Sequence, residues 1–478
     1  MISITDEQWI SYLQGNNVVE NKEEYIKNFR RKIISYHDYK RGEIECILSP
    51  FGSYSLGGYI RGADIDLVLL CPWIVRRNDF YKFLPELLKA QPTVRDVECI
   101  KKTVVPIIKC TVDSISIDIS FVRLRGNRLP DKLDLLDDSL LNGIDAACVA
   151  SMDGPRVDKF IKGRIRQDHI QIFKRSLQCV KHWATERDIY NKPMGYLNGS
   201  SWTLLLLKTY MVESGKYEHL SISILFFSFF KMWADWPWQT PVMFTDSIPG
   251  GNGSRISYSE LSAFNNAVMP IVTPCYPVSN AAAYVTKSTL KIMTKEFHRA
   301  LEILSTITKP GAIMKKLFNT TNYFKRYNDF ICVTTTSTTS TSHEIWTRRM
   351  QFIIPQLLSL IETCPTVKQI QAMVKPTIVI SHFKSEQEKI ALRNGVPPEE
   401  ARDMGLMGDL NPGTLNIIYH FIGIQLHGSN MDIDLSEEIK TFYAVLENKR
   451  NRHDEDLKWS VSAMKKIDVA RVMGIDTN

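Results

Sequence analysis

The chain has 478 residues, 44% of them apolar and 10% aromatic, and its 59 Lys and Arg exceed its 52 Asp and Glu by 7. That balance excludes extended disorder, and nine scattered cysteines without a C-x-x-C pair exclude a zinc knuckle or a disulfide framework and fit a reducing compartment. The longest oily stretch, from Ile224 to Phe230, is far short of the ~20 residues of a membrane span, and Asp6 and Glu7 stand where a leader would be apolar, so neither a membrane nor secretion is expected.

Trp9, Leu13 and then Tyr25, Phe29 and Ile33 fall at helical spacing and predict a helix over 7–35. An α/β segment follows to residue 165, with β-like runs at 64–70, 104–111 and 115–123 and a helix over 78–90. Residues 168–190 predict an amphipathic helix. Phe173, Leu177, Val180 and Ala184 form its apolar stripe; Lys174, Gln178, Lys181 and Thr185 form its polar face, where a lysine is expected to be solvated. A buried helix is expected at 201–213, a flexible loop at 248–255 and a further helix at 284–307. The Thr/Ser run 334–342 reads as a boundary or hairpin loop. Beyond it, Trp346, Met350, Ile354, Leu357 and Ile361 mark one helix, 377–381 and 415–424 read as strands, and 384–409 reads as a charged surface insertion. Residues 434–450 read as a helix with Asp434 and Glu437 in capping-box positions. This alternation predicts a small α+β domain.

The charge is uneven. Residues 1–150 hold 20 basic and 21 acidic residues, residues 345–478 hold 16 and 17, and residues 151–344 hold 23 and 14. The whole surplus therefore sits in the middle third, with a tight cluster at Arg156, Lys159, Lys162, Arg164 and Arg166; by charge alone it reads as a solvated face, and the acidic motif below favours a track for a polyanion.

The chemistry concentrates in 51–69. Asp64 and Asp66 are two apart at the start of an apolar run, so on a strand they share a face while Ile65, Leu67 and Leu69 take the other. Two carboxylates so placed repel unless cations neutralise them, and such hard oxygen donors suit Mg²⁺. Gly52 and Ser53, a dozen residues upstream, offer close backbone approach and a hydroxyl to a phosphate. Met431-Asp432-Ile433-Asp434 has the same acidic spacing without an upstream Gly-Ser, and reads as a helix-capping surface turn. Two-metal phosphate chemistry wants a third carboxylate. In 114–121 the isoleucines and Phe121 alternate with serines and Asp118, which makes Asp118 the expected third ligand and the acceptor of a proton from an attacking 3′-hydroxyl.

Gly-Ser, Asp-x-Asp and a later strand Asp resemble the nucleotidyltransferase superfamily that includes DNA polymerase β. More narrowly, FGSYSLGGYIRGADIDLVLLCP, VVPIIKCTVDSISIDISFVRL, LDLLDDSLLNGIDAACVASMDGPRV, VKHWATERDIY, MPIVTPCYP and MDIDLSEEIKTF resemble, in order, the eukaryotic nuclear-type poly(A) polymerases. The resemblance implies an α+β chain of three parts: a polymerase-β-like nucleotidyltransferase catalytic domain (17–167), a helical middle domain (1–16 and 168–343) and a C-terminal RNA-recognition-like, ferredoxin-like domain (344–478). It implies that Asp64, Asp66 and Asp118 hold two Mg²⁺ ions, with Mn²⁺ as a substitute. It places Phe51, Gly52 and Ser53 beside incoming ATP, Lys181 and Tyr190 at the triphosphate, and Gly199 and Ser200 at an anion-holding helix start.

The chain departs from the family where Asp153 and Lys192 replace asparagines near the nucleotide. These two are expected to pair across the cleft, with Asn191 as an alternative to the second asparagine. The implied activity is template-free addition of AMP from ATP to an RNA 3′ end, by a nuclear monomer that works with cleavage and polyadenylation complex proteins. Rival expectations are UMP addition, CCA completion, or an inactive RNA-binding scaffold; three intact carboxylates argue against the scaffold.

Overall fold

The computed structural model describes residues 4–19, 45–251, 253–404, 410–428, 433–450 and 456–475. The chain divides into two compact units. The first groups Met1–Thr185, Leu197–Ala283 and Thr294–Phe318; the second groups Glu186–Tyr196, Tyr284–Met293 and Asn319–Asn478.

The first unit opens with helix α1 (Asp6–Gly15), capped by Thr5 and Gln8 in a reciprocal capping box. Trp9 is fully buried, and its ring N–H donates to Ser223 Oγ at 2.8 Å. The helix expected over 7–35 ends here at Gly15, with Asn16 at its C-terminal cap, and residues 20–35 lie outside the described residues. The sheet follows: β1 (Ile47–Phe51), a single turn α2 (Gly52–Ser55), β2 (Ile65–Cys71), α3 (Arg77–Lys89), β3 (Val94–Ile100), β4 (Ile107–Val112) and β5 (Ile115–Arg123), with α4 (Ala146–Arg164) after it. The strand order is β1-β2-β5-β4-β3. β2 and β5 run parallel and the other pairs antiparallel.

Beyond the acidic pair, β2 is buried at every position from Leu67 to Cys71, the continuous apolar run of a strand covered on both faces. Polar positions survive only where the strand begins. The β4–β5 hairpin turns through Asp113 and Ser114, both at positive φ (47° and 71°), the two-residue geometry whose twist matches the strands.

Helix α5 (Ile170–Glu186) buries its expected stripe. Its expected polar face is different from the sequence reading: Gln178 is fully buried and donates to the Gly57 carbonyl at 3.0 Å, and Lys181 is 1% exposed. Helices α6 (Gly199–Glu213) and α7 (Ile222–Ala234) follow. Residues 248–255, expected to be loop, form a hairpin of β6 (Ile248–Gly251) and β7 (Ser254–Ile256). Helices α8 (Lys287–Thr306), whose residues divide between the units, and α9 (Pro310–Leu317) complete this part. The helical core is aromatic: Trp183 meets Trp202, Phe230 and Phe297 at centroid distances of 5.9, 4.7 and 5.7 Å.

The second unit contains β8 (Asp329–Ser337), α10 (Ser340–Glu362), β9 (Val367–Ala372), β10 (Thr377–Ser385), α11 (Glu386–Arg393), α12 (Pro398–Met404), β11 (Leu410–Leu426), α13 (Ser436–Lys449), β12 (Lys458–Lys465) and α14 (Lys466–Met473). Its strands lie in the order β10-β11-β8-β12, all antiparallel, with β9 pairing the far end of the long β11. Taken as one interrupted strand, β9 and β10 give a β-α-β-β-α-β pattern with the first strand beside the fourth, the ferredoxin-like arrangement.

Three readings of this region are corrected. The Thr run is not a loop: Thr334, Thr335 and Thr336 are buried in β8, inside the sheet, since β-branched side chains suit a packed pleated surface. The segment 384–409 is not a surface insertion over its described part: Ala391, Leu392 and Ala401 enter the core. The helix after 434 starts at Ser436, capped at Leu435, so Asp434 and Glu437 make no capping box; Asp434 instead accepts the Ser436 N–H at 2.9 Å. Asp432 lies outside the described residues.

Candidate active site

Register creates the site. Asp66 on β2 is the parallel partner of Asp118 on β5, so their side chains leave the same face of the sheet side by side. Asp64 precedes β2 by one residue. Ligand oxygens of Asp64, Asp66 and Asp118 all lie within 4.8 Å of one another, with Asp64 exposed and the other two half-buried.

Burial pushes the Asp66 carboxyl up to about 7, and the charges of Asp64 and Asp118 push it the same way, against Lys181 and Lys109. Asp118 is also raised, chiefly by burial, with Lys109 opposing. The donor set is that of a hard divalent cation: three carboxylates that crowd one another and gain from any positive charge between them.

Two lysines face this cluster. Lys181 comes from α5; burial pushes its ammonium down to about 8, while Asp66 and then Asp64 hold it up. Lys109, on β4, was not anticipated. It is the antiparallel partner of Asp118, with Nζ 3.2 Å from Asp118 Oδ1. A signal for it existed: a two-residue turn at 113–114 fixes the pairing of 109 with 118.

The phosphate-cradle candidates sit beside the carboxylates. Phe51 ends β1 and pairs in register with Asp66. Gly52 adopts φ +67°, and a Cβ there would stand 3.1 Å from Asp66 Oδ2. Both its conformation and this close approach call for glycine. Ser53 follows in α2. The Phe51 ring also packs on Gly154 of α4, where any side chain would collide with it, and Asp153 is the neighbouring residue. Gly199 and Ser200 open α6; its cap, Asn198, takes the Ser201 N–H at 3.0 Å rather than their amides.

Tyr190 and Lys192 belong to the second unit, whereas Asp153 and Lys181 belong to the first. There Lys192 Nζ stands 5.2 Å from the Tyr284 ring centroid, and Asn191 Oδ1 accepts the Met194 N–H at 3.2 Å, closing a turn.

Three family models match the chain in sequence: poly(A) polymerase nucleotidyltransferase domain over 14–165, poly(A) polymerase central domain over 172–320, and poly(A) polymerase predicted RNA binding domain over 322–473. Among curated proteins, the chain is similar to poly(A) polymerase of Dictyostelium discoideum, 31% identical across 70% of this chain and 40% of that protein. It is similar to poly(A) polymerase pla1 of Schizosaccharomyces pombe, 30% identical across 73% of this chain and 61% of that protein. The chain thus spans roughly half the length of these relatives. Among solved structures, Cid1 poly(U) polymerase is similar with a TM-score of 0.46 at 18% identity, covering 65% of this chain and 98% of that one.

Proposed function

We propose, since this chain belongs to the poly(A) polymerase family, that it adds AMP from ATP to RNA 3′ ends without a template. The observation that carries the reading is the register of β2 on β5, which crowds three carboxylates within 4.8 Å opposite Lys109 and Lys181.

Asp64, Asp66 and Asp118 would hold two Mg²⁺ ions, or Mn²⁺ in their place. Such ions polarise phosphoryl oxygens and lower the pKa of an attacking hydroxyl when bound. The chain's own residues supply the rest. Asp118 takes the proton of the RNA 3′-hydroxyl as its oxygen bonds to the α-phosphorus and the bond to the β-phosphate breaks, releasing pyrophosphate. Lys181 meets the negative charge of the triphosphate, which favours its protonated form. Gly52 and Ser53 let the phosphates approach β2 closely, Phe51 borders the nucleotide, and the open amides of Gly199 and Ser200 add the positive end of α6. A part for Tyr190 in nucleotide binding is supported by the match of its segment to the family pattern; parts for Asp153 and Lys192 rest on their standing where the family has asparagines near the nucleotide. Nuclear placement, a monomeric state and work with cleavage and polyadenylation proteins are supported by the family alone.

The test is primer extension with each nucleoside triphosphate separately, with Mg²⁺ and with chelator. Long A tracts that need the metal are expected. Preferred U addition, or C addition that stops after two residues, would overturn the adenylyl assignment.

A further inference from the structure

The Gly52–Ser55 turn is fastened from behind by a residue of α4. Asp158 is 6% exposed, and its Oδ2 accepts the Ser55 hydroxyl at 3.0 Å. Lys162, one turn on, pairs with the same oxygen at 2.9 Å and also donates to Ser55 Oγ. Asp158 Oδ1 is buried without an aligned hydrogen bond, and burial raises the carboxyl above its ordinary range, opposed first by Lys162 and then by the Ser55 hydroxyl and the Gly52 N–H. These groups all lie in the first unit.

The turn needs such support. A single helical turn fixes its backbone angles for little hydrogen bonding of its own, and the residue before α2, Phe51, makes no side-chain cap. Gly52 also leaves one wall of the turn without a side chain, with Asp66 Oδ2 directly opposite. Asp158 therefore fixes one side of a short segment whose other side faces the carboxylate cluster. Burying a carboxylate behind an anion-binding turn is unfavourable unless it is neutralised, and Lys162 does this from its half-exposed position.

We propose that Asp158 is a positioning residue for the nucleotide: through Ser55, and with its charge balanced by Lys162, it holds the Gly52–Ser55 turn in the conformation that receives the phosphates. The assignment rests on the reading that this turn binds the nucleotide.

The experiment compares wild type, Asp158→Ala, Asp158→Asn and Ser55→Ala in the full chain. It reads the Kd for a fluorescent ATP analogue, KM for ATP and kcat in primer extension, and thermal unfolding. Asp158→Ala is expected to raise Kd and KM about tenfold, the scale of one lost hydrogen bond to a charged group, with kcat within about twofold. Asp158→Asn still accepts the Ser55 hydroxyl and should recover most of the affinity. Ser55→Ala should repeat the Asp158→Ala loss, and the double variant should lose no more than either single one. Lower unfolding temperature with unchanged Kd in Asp158→Ala, or normal affinity in Ser55→Ala, overturns the proposal; Ser55→Ala decides it should Asp158→Ala not fold. A wild type that binds ATP yet extends with another base defeats the adenylyl reading and leaves this proposal standing on the Kd. A wild type that binds no nucleotide defeats both.

Discussion

At the scale of single residues, the carboxylate cluster makes two demands. Removing one member leaves an incomplete donor set, so Asp64→Ala and Asp118→Ala should each lower turnover at least ~10³-fold, about 4 kcal/mol of barrier. Near-normal turnover in either, measured by single-turnover extension, would remove that residue from the chemistry. The second demand concerns protons. Asp66 has its carboxyl raised to about 7, so the metal-free protein keeps a proton there that an unfolded chain would release near 4. This group therefore opposes folding above pH 7, and that opposition fades as pH falls from 7 toward 4. Metal binding runs the other way, because a ligand carboxylate must lose its proton. Apparent Mn²⁺ affinity, followed by electron paramagnetic resonance, should be flat above pH 7 and fall as pH drops below it, by up to about tenfold per unit. A pH-independent affinity between 5.5 and 8 would show that Asp66 is not among the ligands.

At the scale of elements, legibility followed how local the signal was. Alternation put Asp64 and Asp66 on one face of one strand and Asp118 on the polar face of another, because a period of two fixes which side chains share a face; grouping the three rested on the third carboxylate that two-metal chemistry wants, and the β2–β5 register then places Asp118 beside Asp66. Lys109 needed the register of a neighbouring strand, which only the turn at Asp113 and Ser114 sets. Lys181 read as solvated because α5 was treated as half-exposed, whereas packing covers even Gln178. The Thr run misled because its low complexity suggested a boundary or hairpin loop, while three consecutive threonines sit buried where β8 lies between β11 and β12. The segment 384–409 misled because many charges surround few core residues. That last point can be measured. Leu392 is fully buried in the core of the second unit, and Leu410 is 84% exposed. Leu392→Ala should lower stability by about 2–5 kcal/mol in denaturant unfolding, and Leu410→Ala should change it little. Equal, small effects would restore the view of this stretch as a surface insertion.

At the scale of the whole molecule, the cations of the middle third free to meet a polyanion are fewer than its 23 Lys and Arg, because the fold engages many of them. Of the tight cluster, Arg156 is buried against Asp138, Lys162 pairs with Asp158, and Arg166 grips Asp168 at 2.7 Å. Farther on, Lys181 is buried beside the carboxylates, Lys216 pairs with Glu213 at 2.9 Å and Arg299 with Glu296 at 2.8 Å. Lys159 and Arg164 are exposed and make no ion pair among the described residues; Arg164 instead stands over the Phe160 ring. If the middle third tracks RNA, these two are the members of the cluster available to phosphate. Each phosphate contact on a single strand contributes a slope of about −0.7 to log affinity against log salt. Lys159→Gln with Arg164→Gln should therefore flatten the slope by up to about 1.4, read by fluorescence anisotropy with a labelled oligoadenylate. Arg166→Gln should leave it unchanged, since its guanidinium is already bidentate on Asp168. An unaltered slope in the double variant would take this helix off the RNA path and leave its basic cluster as a soluble face.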